Sequence, residues 1–331
     1  MTRDYYIFSN GRLKRKDNTI FFVDEEDNKK AIPVETIRNL YVFGELDFNT
    51  KFFNYLGKFG IAVHIFNYYG FYGGSFMPRK TLLSGDLIVK QAKYFTSPVK
   101  QLPLAKETIT AAMTNMKKNL LYYTNRGREL KSIVSEIEKG MTALSSCCSI
   151  EELMGLEGMT RKHYFEAFPM IISNPEMAFT QRVKQPPDNA INALISFGNM
   201  LLYTTVLSEI FKTQLDPTIS FLHKPGYRRY SLSLDIAEIF KPILVDRIIF
   251  KVLNKNMITE KDFDSDLNYC YMNENARKVF VKEYDQQLQT TIKHRTLDRH
   301  ISYRHLIRLE CYKLIKCVLE NAAYNAFKIW W

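Results

Sequence analysis

The 331-residue chain is short of cysteine, of acid and of long apolar runs. Its five cysteines are odd in number, Cys147 and Cys148 are adjacent, and no CxxC pair occurs. Neither a disulfide framework nor a zinc knuckle is therefore indicated, and the thiols read as reduced core residues. No uninterrupted apolar run approaches the ~18 residues that span a bilayer, and no basic start leads into an apolar stretch. A soluble, cytoplasmic protein with no membrane partner is expected. Asp and Glu number 35 against 46 Lys and Arg, a net charge of +11. That imbalance favours an anionic partner, nucleic acid or an acidic membrane surface, without choosing between them.

What is present fits a folded protein: 46% of residues are apolar, and the length suits two domains. The first eighty residues read as strands separated by turn signals: "DYYIF", Asn10–Gly11, "NTIFFVD", a polar "EEDNKK" tip, "RNLYVFG" and "IAVHIFN". A short helical candidate, "NTKFFNYLGKFG", interrupts them. From about Ser84 glycine and proline thin out and apolar residues recur every three or four positions. The expected architecture is α+β: a small N-terminal β-rich domain over 1–80 and a larger all-α catalytic domain over 84–331, with the boundary near Met77 to Leu83. Ser149 and Glu152 form a capping-box pattern, Asp188 is a candidate cap for "NAINALISF", and Ser233 or a neighbour starts "LDIAEIFKP", where Pro242 is expected to bend the helix.

The densest chemistry lies in "FLHKPGYRRYSLSLDIAEIFKP". On a helix Asp235 and Glu238 share a face that Lys241 continues, and His223 lies just upstream. A solvated acidic pair and a packed histidine are the bland readings of these residues. In "GLEGMTRKHYF", Glu157 has Arg161 at i+4 and Tyr164 at i+7, for which a surface Glu–Arg pair is the bland reading. Tyr164 is also a conceivable covalent nucleophile, with packing or phosphate holding as alternatives.

Together "LMGLEGMTRKHYFEAF", "QPPDNAINALISFGNMLLY", "FLHKPGYRRYSLSLDIAEIFKPILVDRIIF" and "SYRHLIRLECYKLIKCVL…FKIWW" resemble the CRISPR-associated spacer-acquisition integrases, the Cas-one family, closest to the subtype I-B branch. The resemblance spans nearly the whole chain. It implies that Glu157, His223 and Glu238 bind a divalent metal, that Asp235 supports them, and that Lys241 stands where arginine is more common. It also implies a homodimer, with the N-terminal domain as dimerisation module, and a heterohexamer with a small ferredoxin-like CRISPR-associated partner subunit. Asn192 and Ser196 resemble a family element bordering the site, with a helix-packing hydrogen bond as the alternative.

Two carboxylates and an imidazole suit Mg2+ or Mn2+ better than structural zinc. Such an ion stabilises charge on a phosphodiester during in-line displacement. Lys224, Arg228, Arg229, Lys241 and Arg161 are the candidate nucleic-acid contacts. Lys293, Arg295, Arg299, Arg304 and Arg308 are spaced along a further helical candidate, which reads either as a phosphate-binding or as a solvated basic face. The expected function is metal-dependent strand transfer of short DNA fragments into a CRISPR repeat array. A metal-dependent DNA or RNA nuclease and a non-catalytic nucleic-acid-binding subunit remain as alternatives.

Overall fold

The computed structural model describes residues 2–80, 82–183, 186–226, 230–266 and 269–330. It divides into two compact units, Met1–Thr81 and Leu82–Trp331. The first is a β-sheet region and the second is mostly helical, the mixed architecture that the sequence predicts.

The N-terminal unit runs β1 (Arg3–Ile7), β2 (Gly11–Lys16), β3 (Thr19–Val23), β4 (Lys29–Pro33), β5 (Ile37–Val42), β6 (Leu46–Asp47), α1 (Thr50–Lys58), β7 (Ala62–Phe66) and β8 (Tyr72–Phe76). They form two four-stranded sheets, β1-β5-β7-β8 and β4-β3-β2-β6. In the first, β1, β5 and β7 are parallel, and β8 closes the edge antiparallel. The turn signal Asn10–Gly11 links the two sheets and makes no hairpin. Gly11, at φ +146°, lies where a Cβ would come 2.3 Å from the Val23 carbonyl oxygen, so only glycine passes there. Leu13, Ile20, Leu40, Phe52, Leu56 and Val63 are buried in one core between the sheets and α1, the outcome expected when apolar residues alternate along a half-buried strand.

The second unit runs α2 (Gly85–Phe95), α3 (Pro98–Thr124), α4 (Lys131–Ala143), α5 (Ile150–Glu166), α6 (Phe168–Ile171), α7 (Ala190–Phe211), α8 (Ser231–Lys241), α9 (Arg247–Asn254), β9 (Phe263–Asp266), β10 (Tyr269–Met272), α10 (Glu274–Gln289), β11 (Thr291–Lys293), β12 (His300–Ser302) and α11 (Tyr303–Glu320). Two short antiparallel pairs, β9 with β10 and β11 with β12, break the all-helical expectation. The second also corrects the basic helix expected around residues 293–308. Lys293 is in a strand, and helix begins only at Tyr303, where Ser302 accepts the His305 amide. Arg304 and Arg308 are not a free basic face, because both turn onto the buried Glu209.

Several caps differ from expectation. Asn189, not Asp188, caps α7 through the Asn192 amide, while Asp188 takes the Asn192 side chain. The Ser149 half of the capping box forms at the Glu152 amide, but Glu152 reaches the Cys148 amide. Helix α8 starts at Ser231, with Ser233 bonded back to the Tyr230 carbonyl. The cysteines are all free, yet Cys148 is exposed and Cys270 half-buried, so only three are core thiols.

Helix α7 is long and apolar enough to cross a bilayer by composition, but 72% of its apolar window is buried inside the unit. It packs on α8, and close approach matters at its contacts with the chain beyond α8 and with α10. A Cβ on Gly198 would meet Val245 at 2.6 Å and Phe280 at 2.9 Å.

At Pro242 the chain passes into one π-helical stretch, Pro242–Asp246, before α9. Proline has no N–H to give the preceding turn, so carbonyls there need other donors. Two asparagines of α3 donate to carbonyls flanking the proline: Asn115 Nδ2 to that of Ile239 at 2.9 Å and Asn119 Nδ2 to that of Pro242 at 2.7 Å.

Glu209 ties α7 to α11, with Arg308 Nε at 2.7 Å, Lys212 at 3.5 Å and Arg304 at 3.7 Å. Burial opposes its charge, but the three cations outweigh burial and hold its pKa below the ordinary glutamate value. A depressed folded pKa gives stability that is present above the unfolded value and lost as pH falls through the folded one. Glu209→Gln is expected to cost about 3 kcal/mol at neutral pH and to remove part of the acid sensitivity. Thermal melts of both proteins from neutral to acid pH check this; equal melting temperatures throughout contradict it.

Candidate active site

Helix α8 carries Asp235, Glu238 and Lys241 on one face, as the i, i+3, i+6 spacing predicts. That face is buried: Asp235, Glu238 and Lys241 are 4%, 5% and 8% exposed. The solvated-pair reading therefore does not hold. Buried charges persist only when paired and hydrogen-bonded, and each of these is.

Asp235 organises the loop before the helix. Its Oδ2 accepts the amides of Phe221 at 2.6 Å and Leu222 at 2.9 Å, while Oδ1 accepts the His223 amide at 3.0 Å and faces His223 Nδ1 at 2.9 Å. A carboxylate beside Nδ1 keeps the proton there, so Nε2 is left as the imidazole's free acceptor. That atom lies 4.0 Å from Glu238 Oε1. Burial would lower the His223 pKa, but the Asp235 hydrogen bond and the charges of Asp235 and Glu238 outweigh it and raise the value.

Glu238 is the hub. Arg161 Nη2 donates to its Oε2, and Lys241 Nζ donates to its Oε1. Burial alone would raise its pKa, yet Arg161, Lys241 and His223 hold it far below the usual carboxylate range. Arg161 also donates Nε to Glu157 Oε1 at 2.5 Å, so one guanidinium bridges α5 to α8. The i, i+4 Glu157–Arg161 pair exists, then, but it is largely buried and has a third member. Lys241 also lies over the Tyr203 ring, 5.2 Å from its centroid.

The other candidates fall as follows. Lys224 is on the surface, paired with Glu151 at 2.8 Å, and is not drawn to Glu238. Lys241, expected to steady a phosphate, is instead buried against Glu238. Arg228 and Arg229 lie outside the described residues. Tyr164 is fully buried and accepts a hydrogen bond from Asn119. Burial pushes its phenol well above its ordinary pKa, which removes the nucleophile reading. Asn192 and Ser196 are both held by Arg182, at 3.0 and 2.9 Å.

One site residue was missed. Asp246, at the end of the π-helical stretch, is 3% exposed, and burial pushes its carboxyl up to about 7. The Arg161 charge acts against that rise, while Asp246 Oδ2 has no hydrogen-bond partner among the described residues. A single aspartate in "PILVDRIIF" carries no motif. Its only sequence signal is an acid following four apolar residues.

A divalent cation fits this donor set in type. His223 offers a fixed Nε2, Glu238 and Glu157 offer oxygens, and a cationic group already stands between the carboxylates in the form of the Arg161 guanidinium. It does not fit as a ready cage: among the described residues no three His, Cys, Asp or Glu side chains stand in metal-holding range.

Residues 5–286 match the family model described as CRISPR associated protein Cas1. The chain belongs to the Cas1 family. A Cas1 relative, the CRISPR-associated endonuclease Cas1 of Fusobacterium nucleatum, is 52% identical over 331 residues, covering 100% of this chain and 98% of its own. The Clostridium perfringens relative of the same description is 52% identical over 334 residues, with both chains fully covered. Among solved structures, a Cas1 protein from Thermotoga maritima is 38% identical and superposes with a TM-score of 0.87 over 98% of this chain and 100% of its own. A casposase bound to integration product shares the fold at 20% identity, with a TM-score of 0.87 over 97% of this chain and 92% of its own.

For this Cas1-family chain the position of the histidine rests on Asp235. Asp235→Ala removes an ionised acceptor from three amides, and each such bond contributes about 1.5–3 kcal/mol. Amide exchange at Leu222 and His223 is expected to speed up by about ten- to a hundred-fold. Unchanged exchange at those two amides sinks the claim that Asp235 sets the loop.

Proposed function

We propose that this protein is a metal-dependent DNA integrase of CRISPR adaptation, joining short DNA fragments to a repeat array. The observation that carries the reading is the convergence of α5, the 221–223 loop and α8 on one buried carboxylate, Glu238, with His223 Nε2 turned toward it. Glu157, His223 and Glu238 would hold Mg2+ or Mn2+, which supplies charge stabilisation to the phosphodiester under attack. The chain's own groups prepare the rest. Asp235 keeps the His223 proton on Nδ1, and Lys241 balances Glu238 so that it stays ionised in a low-dielectric site. The reaction breaks one phosphodiester and forms another as a fragment's terminal 3′-hydroxyl displaces the strand at the repeat boundary. No nucleotide cofactor is consumed.

Lys224, Arg228 and Arg229, in the segment between His223 and α8, would meet DNA phosphates, and the net charge of +11 supports such a partner. Support also comes from relatives named endonucleases, and from the casposase neighbour bound to its integration product. The assembly proposed is a cytoplasmic homodimer in a heterohexamer with the small ferredoxin-like CRISPR-associated subunit. A fold neighbour described as a Cas6-RT-Cas1–Cas2 complex is consistent with it. Tyr68 and Tyr69, 69% and 41% exposed on the N-terminal unit, supply an apolar surface for the dimer contact. The subtype I-B assignment rests on the "FLHKPGYRRYSLSLDIAEIFKP" and "SYRHLIRLECYKLIKCVL" motifs.

The test is joining of a labelled DNA fragment to a repeat-bearing plasmid, with Mn2+ or Mg2+ and the small partner. Wild type is expected to form joined product, and Glu238→Ala to lose it by at least about a hundred-fold while still retarding DNA in a gel. Cleavage without joining by wild type transfers the reading to a hydrolytic nuclease. Full joining by Glu238→Ala removes the metal-site reading.

A further inference from the structure

We propose that Arg161 is a displaceable internal counter-ion: it bridges Glu157 and Glu238 when no metal is bound and withdraws onto the buried Asp246 when a dication takes those carboxylates. This rests on the proposed metal site and adds the event by which that site is loaded.

Three observations carry it. First, Arg161 donates Nε to Glu157 and Nη2 to Glu238, the two carboxylates through which α5 and α8 face each other. A guanidinium stays protonated under any ordinary condition, so it cannot make room by losing its charge. A dication seeking the same oxygens would sit against a fixed positive charge, and the guanidinium must go elsewhere. Second, an unused receptor is close by. Asp246 is buried, interacts electrostatically with Arg161, and its Oδ2 has no hydrogen-bond partner among the described residues. An unpaired carboxylate oxygen in such a place is a cost that a native fold rarely carries without use. Third, the receptor is fixed while the donor is long and jointed. Asp246 closes the π-helical stretch, whose Pro242 carbonyl is held from α3 by Asn119, while the Arg161 guanidinium stands at the end of a long side chain. π-helical insertions of this kind recur at functional sites. Moving the guanidinium leaves that cation paired in both states: with carboxylates that await the ion, then with a carboxylate that does not bind it.

The arrangement makes metal affinity a balance between two positions of one side chain. Whatever fraction of molecules holds Arg161 on the glutamates is unavailable to the ion, and the apparent dissociation constant rises accordingly. It also explains how a site holding Glu157, Asp235 and Glu238 stays folded before loading.

The experiment is Mn2+ binding to the full chain without DNA, by calorimetry and by the loss of free-ion EPR signal. The proteins compared are wild type, Arg161→Met, Arg161→Gln, Asp246→Asn, the Arg161→Met/Asp246→Asn pair, and Glu238→Gln. Both Arg161 variants are expected to bind Mn2+ about ten-fold more tightly than wild type and to gain more melting temperature from saturating Mn2+. Gln keeps a donor to Glu157, so it covers the case in which the Met variant folds poorly. Asp246→Asn is expected to weaken Mn2+ binding several-fold in the wild-type background and to leave it unchanged beside Arg161→Met, the non-additivity expected of two groups that meet in one state. Binding by wild type that Glu238→Gln abolishes, with no gain in either Arg161 variant, overturns the counter-ion while leaving the metal site standing. Equal effects of Asp246→Asn in both backgrounds overturn Asp246 as receptor. Wild-type binding that is absent or insensitive to Glu238→Gln overturns both the proposal and the metal reading beneath it.

Discussion

A carboxylate that water barely reaches must be neutralised by the protein itself, and Glu238 is in that position. Moving an ion of its size out of water costs several kcal/mol even after relaxation. The cations that offset this come from two directions: Lys241, one turn on in α8, and Arg161 from α5. The crossing of α5 over α8 is thereby tied to a charge balance, and shape complementarity is only part of what holds it. Gly140 on α4 belongs to the same economy of space, since a Cβ there would come 2.5 Å from Thr160 Oγ1 on α5. Small residues let the helices close until the long side chains meet.

The second constraint is the backbone at Pro242. A proline in a helix leaves a carbonyl without its donor, and a π turn shifts the following residues around the axis. Asn115 and Asn119 brace the backbone around that proline from α3, through the Ile239 and Pro242 carbonyls, and Asn119 goes further, donating to the Tyr164 hydroxyl and accepting from Arg247 Nε at 2.7 Å. Arg247, directly after the insertion, is thus held by a polar contact as well as by packing.

What the sequence disclosed and what it hid divide along the same physical line. Helical spacing is local, so the shared face of Asp235, Glu238 and Lys241 and the Glu157–Arg161 pair could be read directly from positions three and four apart. That Arg161 spans two helices could not, because Glu238 lies 77 residues away and nothing in either segment names the other. Asn115, Asn119 and Asp246 are single polar residues in apolar or mixed helices, where intrinsic preference says little and tertiary hydrogen bonding says everything. The basic tail misled for a related reason. Its charges were counted as a surface, yet Arg304 and Arg308 are used on the buried Glu209, and the stretch before them turns back as β11 and β12. Charge density predicts an electrostatic footprint only after the internally paired members are subtracted.

Every described group of the candidate site comes from the helical unit, and the β-rich unit has an enclosed core of its own around Leu13, Leu40, Phe52 and Val63. The two units therefore answer to different physical demands. In the helical unit, buried polar groups such as Asp235 and Lys241 are kept at the expense of a simpler apolar interior, which is tolerable only where their chemistry is needed. In the β-rich unit one buried polar contact is Asn39 Nδ2 donating to Asp4 at 2.9 Å across β5 and β1. Substitutions in the β-rich unit should thus act through apolar packing and those at the helical unit's site through charge balance.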